Sequence, residues 1–297
     1  MASTTTTNQT LSKTPFRLLH WVHKIGNYSK SKQFYETELG MIEQRHEHFD
    51  AGCEAACNGR YNTSWTKTMI GYGPEDKHFV LELTANFGIK SYKLGNDYNH
   101  VVISHKQSGE EQENEEQKFI TDPDGYKYLL LNKNKALRES QRNTQESDRV
   151  QYISLHSSNI EKQIKFYTEV LGMKVFDHDS ENGRVLLGYA QDQAKVEFVQ
   201  LKENEPLIHG EAFGRLAISS TIDVKQIHQK VLNAKQQVKE FEESHVSIVK
   251  EPVVLPTPGK ADVEVVIISD CDGYEICFAE ATGFFKLALG DSYELQE

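Results

Sequence analysis

Apolar residues return at helical spacing twice along this chain, each time behind a strand-like run and each time ending on Leu-Gly-Met. In NIEKQIKFYTEVLGM (159–173) Ile160, Ile164, Tyr167 and Leu171 share one helical face, with Asn159 placed as an N-cap and Gly172 as a stop. NYSKSKQFYETELGM (27–41) has the same layout, with Asn27 and Gly40 in those roles. FVLELT (79–84) and KVEFVQL (195–201) are β-rich or alternating, as half-buried strands are. DPDG (122–125) and DCDG (270–273) put Asp-Gly between β-rich runs, a hairpin signal. A strand beginning at Arg215 is followed by a helix over 223–237, whose Val224, Ile227, Val231 and Ala234 fall on one face, and then by strand VEVVIIS (263–269). The matching interval of the first copy is SHKQSGEEQENEEQK (104–118), too polar to bury a helical face, and is expected to be a solvated loop or frayed helix.

These landmarks recur in one order, so the chain contains a duplication. Phe166 follows Phe34 by 132 residues, Gly188 follows Gly71 by 117, and Asp272 follows Asp124 by 148, so insertions and deletions separate the copies. A period this long is a duplicated domain, since solenoid units run about 20–50 residues. The 297 residues suffice for two such domains. The expected organisation is a disordered tail over 1–15, a first domain over 16–135, a charged linker over 136–149, a second domain over 150–285 and a C-terminal tail over 286–297.

Composition narrows the function. A net charge of -11, without clustered Lys and Arg, argues against nucleic acid. No apolar run approaches the roughly 18 residues of a membrane span. Four cysteines in a chain this long do not make a disulfide framework, so a reducing, cytoplasmic setting is expected. The Ser/Thr-rich start keeps a mitochondrial one open. Cys53 and Cys57 in CEAAC have a spacing that could serve a metal, but no second Cys/His pair is near in sequence, and structural thiols are the preferred reading.

The run RLLHWVHKIGN (17–27), KQFYETELGM, GYGPED, VLELTANFG, KLGNDYNHVVI and DPDGYKY, with an echo in the second copy, resembles the vicinal oxygen chelate superfamily and, within it, glyoxalase I. The two-domain layout and the CEAACNG segment resemble the glyoxalase domain-containing protein 4 family. The resemblance implies an α+β fold of tandem vicinal oxygen chelate domains, four βαβββ modules in two domains. It also implies a metal held by a His or Gln on the first strand, a Glu in the ELT strand, a His or Gln opening the second module and a Glu after the hairpin aromatic. In glyoxalase I that last Glu also moves the proton.

Carried over residue by residue, these positions are His20, Glu82, His100 and Leu129 in the first copy, and Tyr152, Glu197, Arg215 and Cys277 in the second. Because such sites form between domains, one site would combine His20, Glu82, Arg215 and Cys277, and the other Tyr152, Glu197, His100 and Leu129. Both base positions, Leu129 and Cys277, lack a carboxylate. Arg215 beside Glu82 could replace the metal, since a guanidinium keeps its proton and repels a cation. Alternatively His20, Glu82 and Cys277 hold Zn, Ni or Fe, His100 and Glu197 form a poorer pair, or the first copy closes on itself through His20, Glu82 and His100. The resemblance further places Lys24, Asn86, Arg215 and Lys260 around an anionic, glutathione-related ligand. Three functions stay open: a degenerate lyase that binds such a ligand, an active lyase or isomerase using a rearranged set with Glu275 as a candidate base, and a scaffold with a vestigial pocket. A duplicated chain can satisfy its own domain interface, so a monomer or a homodimer is expected.

Overall fold

The structure, a computed structural model, describes residues 14–105, 117–132, 148–257 and 259–294. The expected N-terminal tail lies outside the described residues except at its end, as do most of the linker and of the polar 104–118 segment.

Strand β1 (Phe16–Lys24) leads into helix α1 (Tyr28–Thr37), then β2 (Ile42–Phe49), β3 (Trp65–Gly71) and β4 (Val80–Asn86). The first copy continues with β5 (Tyr98–His105), β6 (Lys118–Thr121) and β7 (Lys127–Asn132). The second begins with β8 (Val150–Ser157), α2 (Ile160–Lys165), β9 (Lys174–Asp179), β10 (Arg184–Gly188) and β11 (Lys195–Gln200). It ends with β12 (Arg215–Ser220), α3 (Val224–Gln237), the short α4 (Lys239–Glu242), β13 (Ser247–Leu255), β14 (Val263–Ser269), β15 (Glu275–Glu280) and α5 (Ala281–Leu289).

The repeated helices form as their sequences dictate. Asn27 and Asn159 each accept the backbone N–H three residues on, at 3.0 Å, satisfying an orphan donor of the first turn. Gly40 and Gly172 take φ of +63° and +75° at the stops, a region glycine enters without a Cβ penalty. One departure follows α2: Phe166–Val170 widens into a π turn, closed by Leu171 N–H on Phe166 O, with Phe166, Tyr167 and Val170 all buried.

The strands do not form one sheet per copy. An eight-stranded sheet runs β13-β14-β15-β12-β1-β4-β3-β2 and a seven-stranded sheet β6-β7-β5-β8-β11-β10-β9. Each therefore joins the first module of one copy to the second module of the other, through the antiparallel pairs β1/β12 and β5/β8. Trp21, Tyr128, Phe198 and Phe278 of the strands join Tyr35 and Phe166 of the helical segments in one continuous core that draws on both sheets.

The Asp-Gly hairpins link these sheets. Asp122 Oδ1 accepts the N–H groups of Asp124 and Tyr126, and Asp270 Oδ1 those of Asp272 and Tyr274, all at 2.8–2.9 Å. From the first hairpin Asp124 reaches Gly26 N–H at 2.7 Å and Ser31 Oγ at 2.8 Å; from the second Asp272 accepts Ser157 Oγ–H at 2.6 Å. Each hairpin acid thus fixes the entry to the helix that packs with the other sheet.

Beside the first hairpin, His23 is fully buried and stacks on Tyr126 with ring centroids 3.8 Å apart. Its Nδ1 lies 3.3 Å from Tyr35 Oη and 3.1 Å from Tyr128 Oη, and burial pushes its pKa down to about 3. The unfolded chain protonates this residue near 6.5, so between those values it binds the extra proton, and stability falls as pH drops through 6.5 toward 3. Acidification from about pH 7 to about pH 4.5 is expected to cost roughly 2–3 kcal/mol through His23. Urea unfolding at the two pH values, with His23→Leu losing this part of the dependence, checks it; an unchanged slope in the variant contradicts it.

The boundary expected at 286 falls inside a helix. Helix α5 continues to Leu289, and its Phe284, Phe285 and Leu287 pack with Leu19, Ala217, Val263, Val265 and Ala279 on the outer, concave side of the eight-stranded sheet. Ala281, Phe284, Phe285 and Leu287 lie on one side of this helix and are buried.

Candidate active-site pocket

The concave face of the eight-stranded sheet assembles His20 and Lys24 of β1, Glu82 of β4, Arg215 of β12 and Cys277 of β15. The register dictates this: His20 stands opposite Ala217 and Ala217 opposite Cys277, while Val22 stands opposite Glu82 and Arg215 opposite Glu275. His20 and Glu82 therefore share a sheet with Arg215, and His100 lies on the other one, so the first copy does not close on itself.

His20 Nε2 lies 3.3 Å from Glu82 Oε2, and His20 Nδ1 lies 3.0 Å from Glu75 Oε1. Burial disfavours the imidazolium, but the hydrogen bonds to Glu75 and Glu82 outweigh it and raise the pKa. Burial likewise pushes Glu82 up, yet His20, Lys67 and the Thr84 hydroxyl, donating at 3.1 Å, outweigh it and hold the carboxyl at about 2. Glu75, only 2% exposed, also pairs with Arg45. Beyond it Glu47 gathers Lys67 at 2.8 Å, Lys260 at 3.2 Å and Arg45 Nε at 3.5 Å. Sequence reasoning missed Glu75, Arg45, Glu47 and Lys67; Glu75 stands in GYGPED, a motif recognised only as a landmark.

Arg215 does not take the carboxylate of Glu82. Its Nε donates to Glu275 Oε2 at 2.8 Å and its Nη1 to Ala55 O at 3.0 Å. Glu275 is its directly aligned neighbour on a parallel strand, whereas Glu82 is already held by His20 and Thr84. Cys277 is half-buried, and burial pushes its thiol up to about 11.

These residues fit half of a metal site. His20 Nε2 and Glu82 Oε2 are adjacent donors, and Glu75 on Nδ1 orients the ring as carboxylates do for ligating histidines. The other two positions do not fit: a guanidinium has no lone pair to give, and the Cys277 thiol retains its proton. Among the described residues no three His, Cys, Asp or Glu side chains converge as a metal site.

The second combination is further from one. Glu197 accepts Arg184 Nη1 at 3.1 Å, and burial raises its pKa. Ser154 stands between Glu197 and His100 in the sheet register. Burial, with His156 and Lys127 nearby, pushes His100 down to about 4, and its ring packs edge-on against Phe119. Leu129 is buried, and Tyr152 lies on β8 opposite Val102 and Lys195.

Two cavities meet over the first combination. The outer, about 290 Å³, is lined by Lys24, Arg60, Tyr61, Phe213, Arg215 and Glu275 among others. The inner, about 110 Å³, reaches His20, Glu82 and Cys277 and is walled by Leu255, Val265 and Phe284. Lys24 donates to Phe213 O, and burial, then Arg215, pushes its pKa down to about 8. Of the other expected ligand-binding residues, Lys260 is drawn to Glu47, and Asn86 lies outside both linings. Its amide instead accepts Asn58 Nδ2 at 2.8 Å and donates to Asn58 O and Tyr92 Oη, both at 3.0 Å, fastening the CEAACNG loop.

That loop overturns the reading of Cys53 and Cys57 as thiols: the two form a disulfide. Ala56, at φ +50°, closes a turn on Cys53 O at 2.9 Å, which leaves the two Cα atoms 5.4 Å apart, within disulfide reach.

Paired βαβββ modules around a concave pocket define a two-domain protein of the glyoxalase I fold. Glyoxalase I of Zea mays superposes with a TM-score of 0.73 over 94% of this chain and 97% of its own, at 23% identity. The model of the glyoxalase domain-containing protein 4-like C-terminal domain matches residues 159–287. Glyoxalase domain-containing protein 4 of Mus musculus is 40% identical over 93% of this chain and 89% of its own length, and "Glyoxalase 1" of Caenorhabditis elegans is 37% identical over 93% and 92%. The chain belongs to the glyoxalase domain-containing protein 4 family.

Proposed function

We propose that this protein binds an anionic small molecule, glutathione-related in chemistry, in the joined cavities and lacks ordinary lactoylglutathione lyase activity. One observation carries the reading: the strand after the DCDG hairpin presents Cys277, with its thiol pushed up to about 11, where proton transfer needs a carboxylate. The outer cavity carries Lys24, Arg60 and Arg215 against Glu211 and Glu275, and this excess of one cation supports the anionic ligand. Charge-assisted contacts of this kind hold and orient a ligand without breaking its bonds.

A second reading is favoured by the Caenorhabditis relative named "Glyoxalase 1" and by Glu275, which lies two residues before Cys277 on the same strand face. There Glu275, released from Arg215 by the ligand, moves the proton. Calorimetric titration with S-methylglutathione, alongside hemithioacetal turnover with added zinc or nickel, separates the readings. Binding without turnover is expected; turnover abolished by Glu275→Gln makes the second reading correct, and neither binding nor turnover leaves a scaffold.

Affinity is expected to depend on Lys24. Its ammonium loses its proton through about pH 8, so binding of an anion weakens as pH rises through that value. Lys24→Met is expected to lower affinity by about 10- to 100-fold below that pH, the scale of one charge-assisted hydrogen bond, and to flatten the dependence. Titrations on either side of about pH 8 check it; identical curves for the two proteins contradict it.

A further inference from the structure

We propose that Cys53 and Cys57 form a thiol–disulfide exchange site for anionic low-molecular-weight thiols, with Cys57 the sulfur that is attacked. The proposal rests on the cationic mouth of the pocket, and not on which ligand the pocket holds.

Position distinguishes the two sulfurs. Cys57 lines both the outer and the inner cavity, at the neck where they meet, and Cys53 lines neither. Lys24, Arg60 and Arg215 share the outer lining with Cys57 against the two carboxylates of Glu211 and Glu275, which pair with Arg60 and Arg215; the excess of one cation, with Arg60 the most exposed of the three, attracts an approaching thiolate with further negative groups toward that sulfur. The loop packs closely there: a Cβ on Gly59 would stand 3.0 Å from Lys24 Cε. The other two cysteines lack these conditions. Cys271 is buried, and burial pushes its thiol up to about 12, while Cys277 lines only the inner cavity, with Glu82, and not the outer one.

The loop is also held by contacts other than the disulfide. Asn58 is tied to Asn86 and, through its Nδ2, to Tyr61 O at 2.9 Å. Glu54 pairs with Lys250 at 2.7 Å, and Ala55 O accepts Arg215. The last two contacts cross from the first copy to the second, so the dithiol lies in a strap over the pocket, and exchange takes place where a bound anion would enter.

The chemistry balances without a further reagent. A thiolate RS⁻ attacks Cys57 Sγ; the Cys53–Cys57 bond breaks, its electron pair leaves on Cys53 Sγ, and that sulfur takes a proton from water. A second thiolate attacks the R sulfur of the mixed disulfide, forming RSSR and releasing Cys57 as thiolate. Two thiols are oxidised and one protein disulfide is reduced; the reverse sequence oxidises the protein with RSSR.

The test uses the full chain, reduced and then challenged with glutathione disulfide, which is anionic, or with hydroxyethyl disulfide, which is neutral, followed by peptide mapping. Cys53→Ser is expected to trap the mixed disulfide at Cys57. Glutathione disulfide should react faster than the neutral reagent by about tenfold, with the ratio falling toward one in Arg60→Ala. Adducts confined to Cys271 or Cys277, or a ratio unaffected by Arg60→Ala, overturn the proposal. Should Cys53→Ser not fold, differential alkylation of the wild-type chain in glutathione redox buffers decides. Cys53 and Cys57 must then titrate together as one couple while Cys271 and Cys277 stay reduced, and a pair that never changes state overturns it. Exchange requires only approach to the mouth, so it can hold even where S-methylglutathione fails to bind, and the reverse.

Discussion

Glu75→Ala is expected to destabilise the fold by about 3–5 kcal/mol, the cost of breaking a buried ion pair by removing one partner. Glu75 is 2% exposed and is the shared acceptor for His20 Nδ1 and for Arg45. Removing its carboxylate leaves the Arg45 guanidinium, 8% exposed, with Glu47 at 3.5 Å, and frees the His20 ring to turn. Most of the loss comes from the stranded cation and not from the intrinsic strength of the pair. The double substitution Arg45→Met with Glu75→Leu removes both charges and should recover much of the stability. Urea unfolding of Glu75→Ala, of the double variant and of its singles Arg45→Met and Glu75→Leu checks this; if the double variant is as unstable as the sum of its singles, desolvation of Arg45 is not the cause.

The second large effect is catalytic. Arg215→Gln with Cys277→Glu installs the residue types that glyoxalase I relatives carry at those two positions. With zinc or nickel added, hemithioacetal isomerisation is expected to rise about 10²- to 10⁴-fold over the wild-type chain, the usual contribution of a positioned general base. His20 and Glu82 already stand 3.3 Å apart with Glu75 behind the imidazole, so half of the donor set needs no reorganisation. Adding Glu82→Ala to the double variant should return it to the wild-type rate. A wild-type chain that turns over as fast as the double variant would sink the idea that Cys277 is what silences the site, and would turn attention to Glu275.

Much of the fold was legible because its signals are local. Asn27 and Asn159 cap, Gly40 and Gly172 stop, and Asp122 and Asp270 bend their hairpins through contacts that span only a few residues. The candidate site was legible as a set of positions, since a family pattern ties each ligand to a countable place on a strand. The direction of its charged side chains was not. Arg215 lines one cavity with Glu82, yet it pairs with Glu275, its aligned neighbour across the strands, while Glu82 is taken by a histidine far away in sequence. Glu75 was passed over because its partners, His20 and Arg45, come from two different strands. The Cys53–Cys57 pair was read as thiols because a spacing does not reveal the left-handed turn at Ala56 that draws the two together.

By itself, then, the sequence determined that the chain is duplicated, that each copy is built from strand–helix–strand modules, and that Leu129 and Cys277 are not carboxylates where the resemblance to glyoxalase I leads one to expect a Glu. Periodicity, caps and residue identity do not need distant partners to be read. Only the tertiary structure decided that modules pair across the copies, that His20, Glu82, Arg215 and Cys277 share one concave face, and that helix α5 walls it. Those outcomes depend on which sheet edges and apolar faces are mutually satisfied when the whole chain is folded, a property of contacts between residues far apart along it.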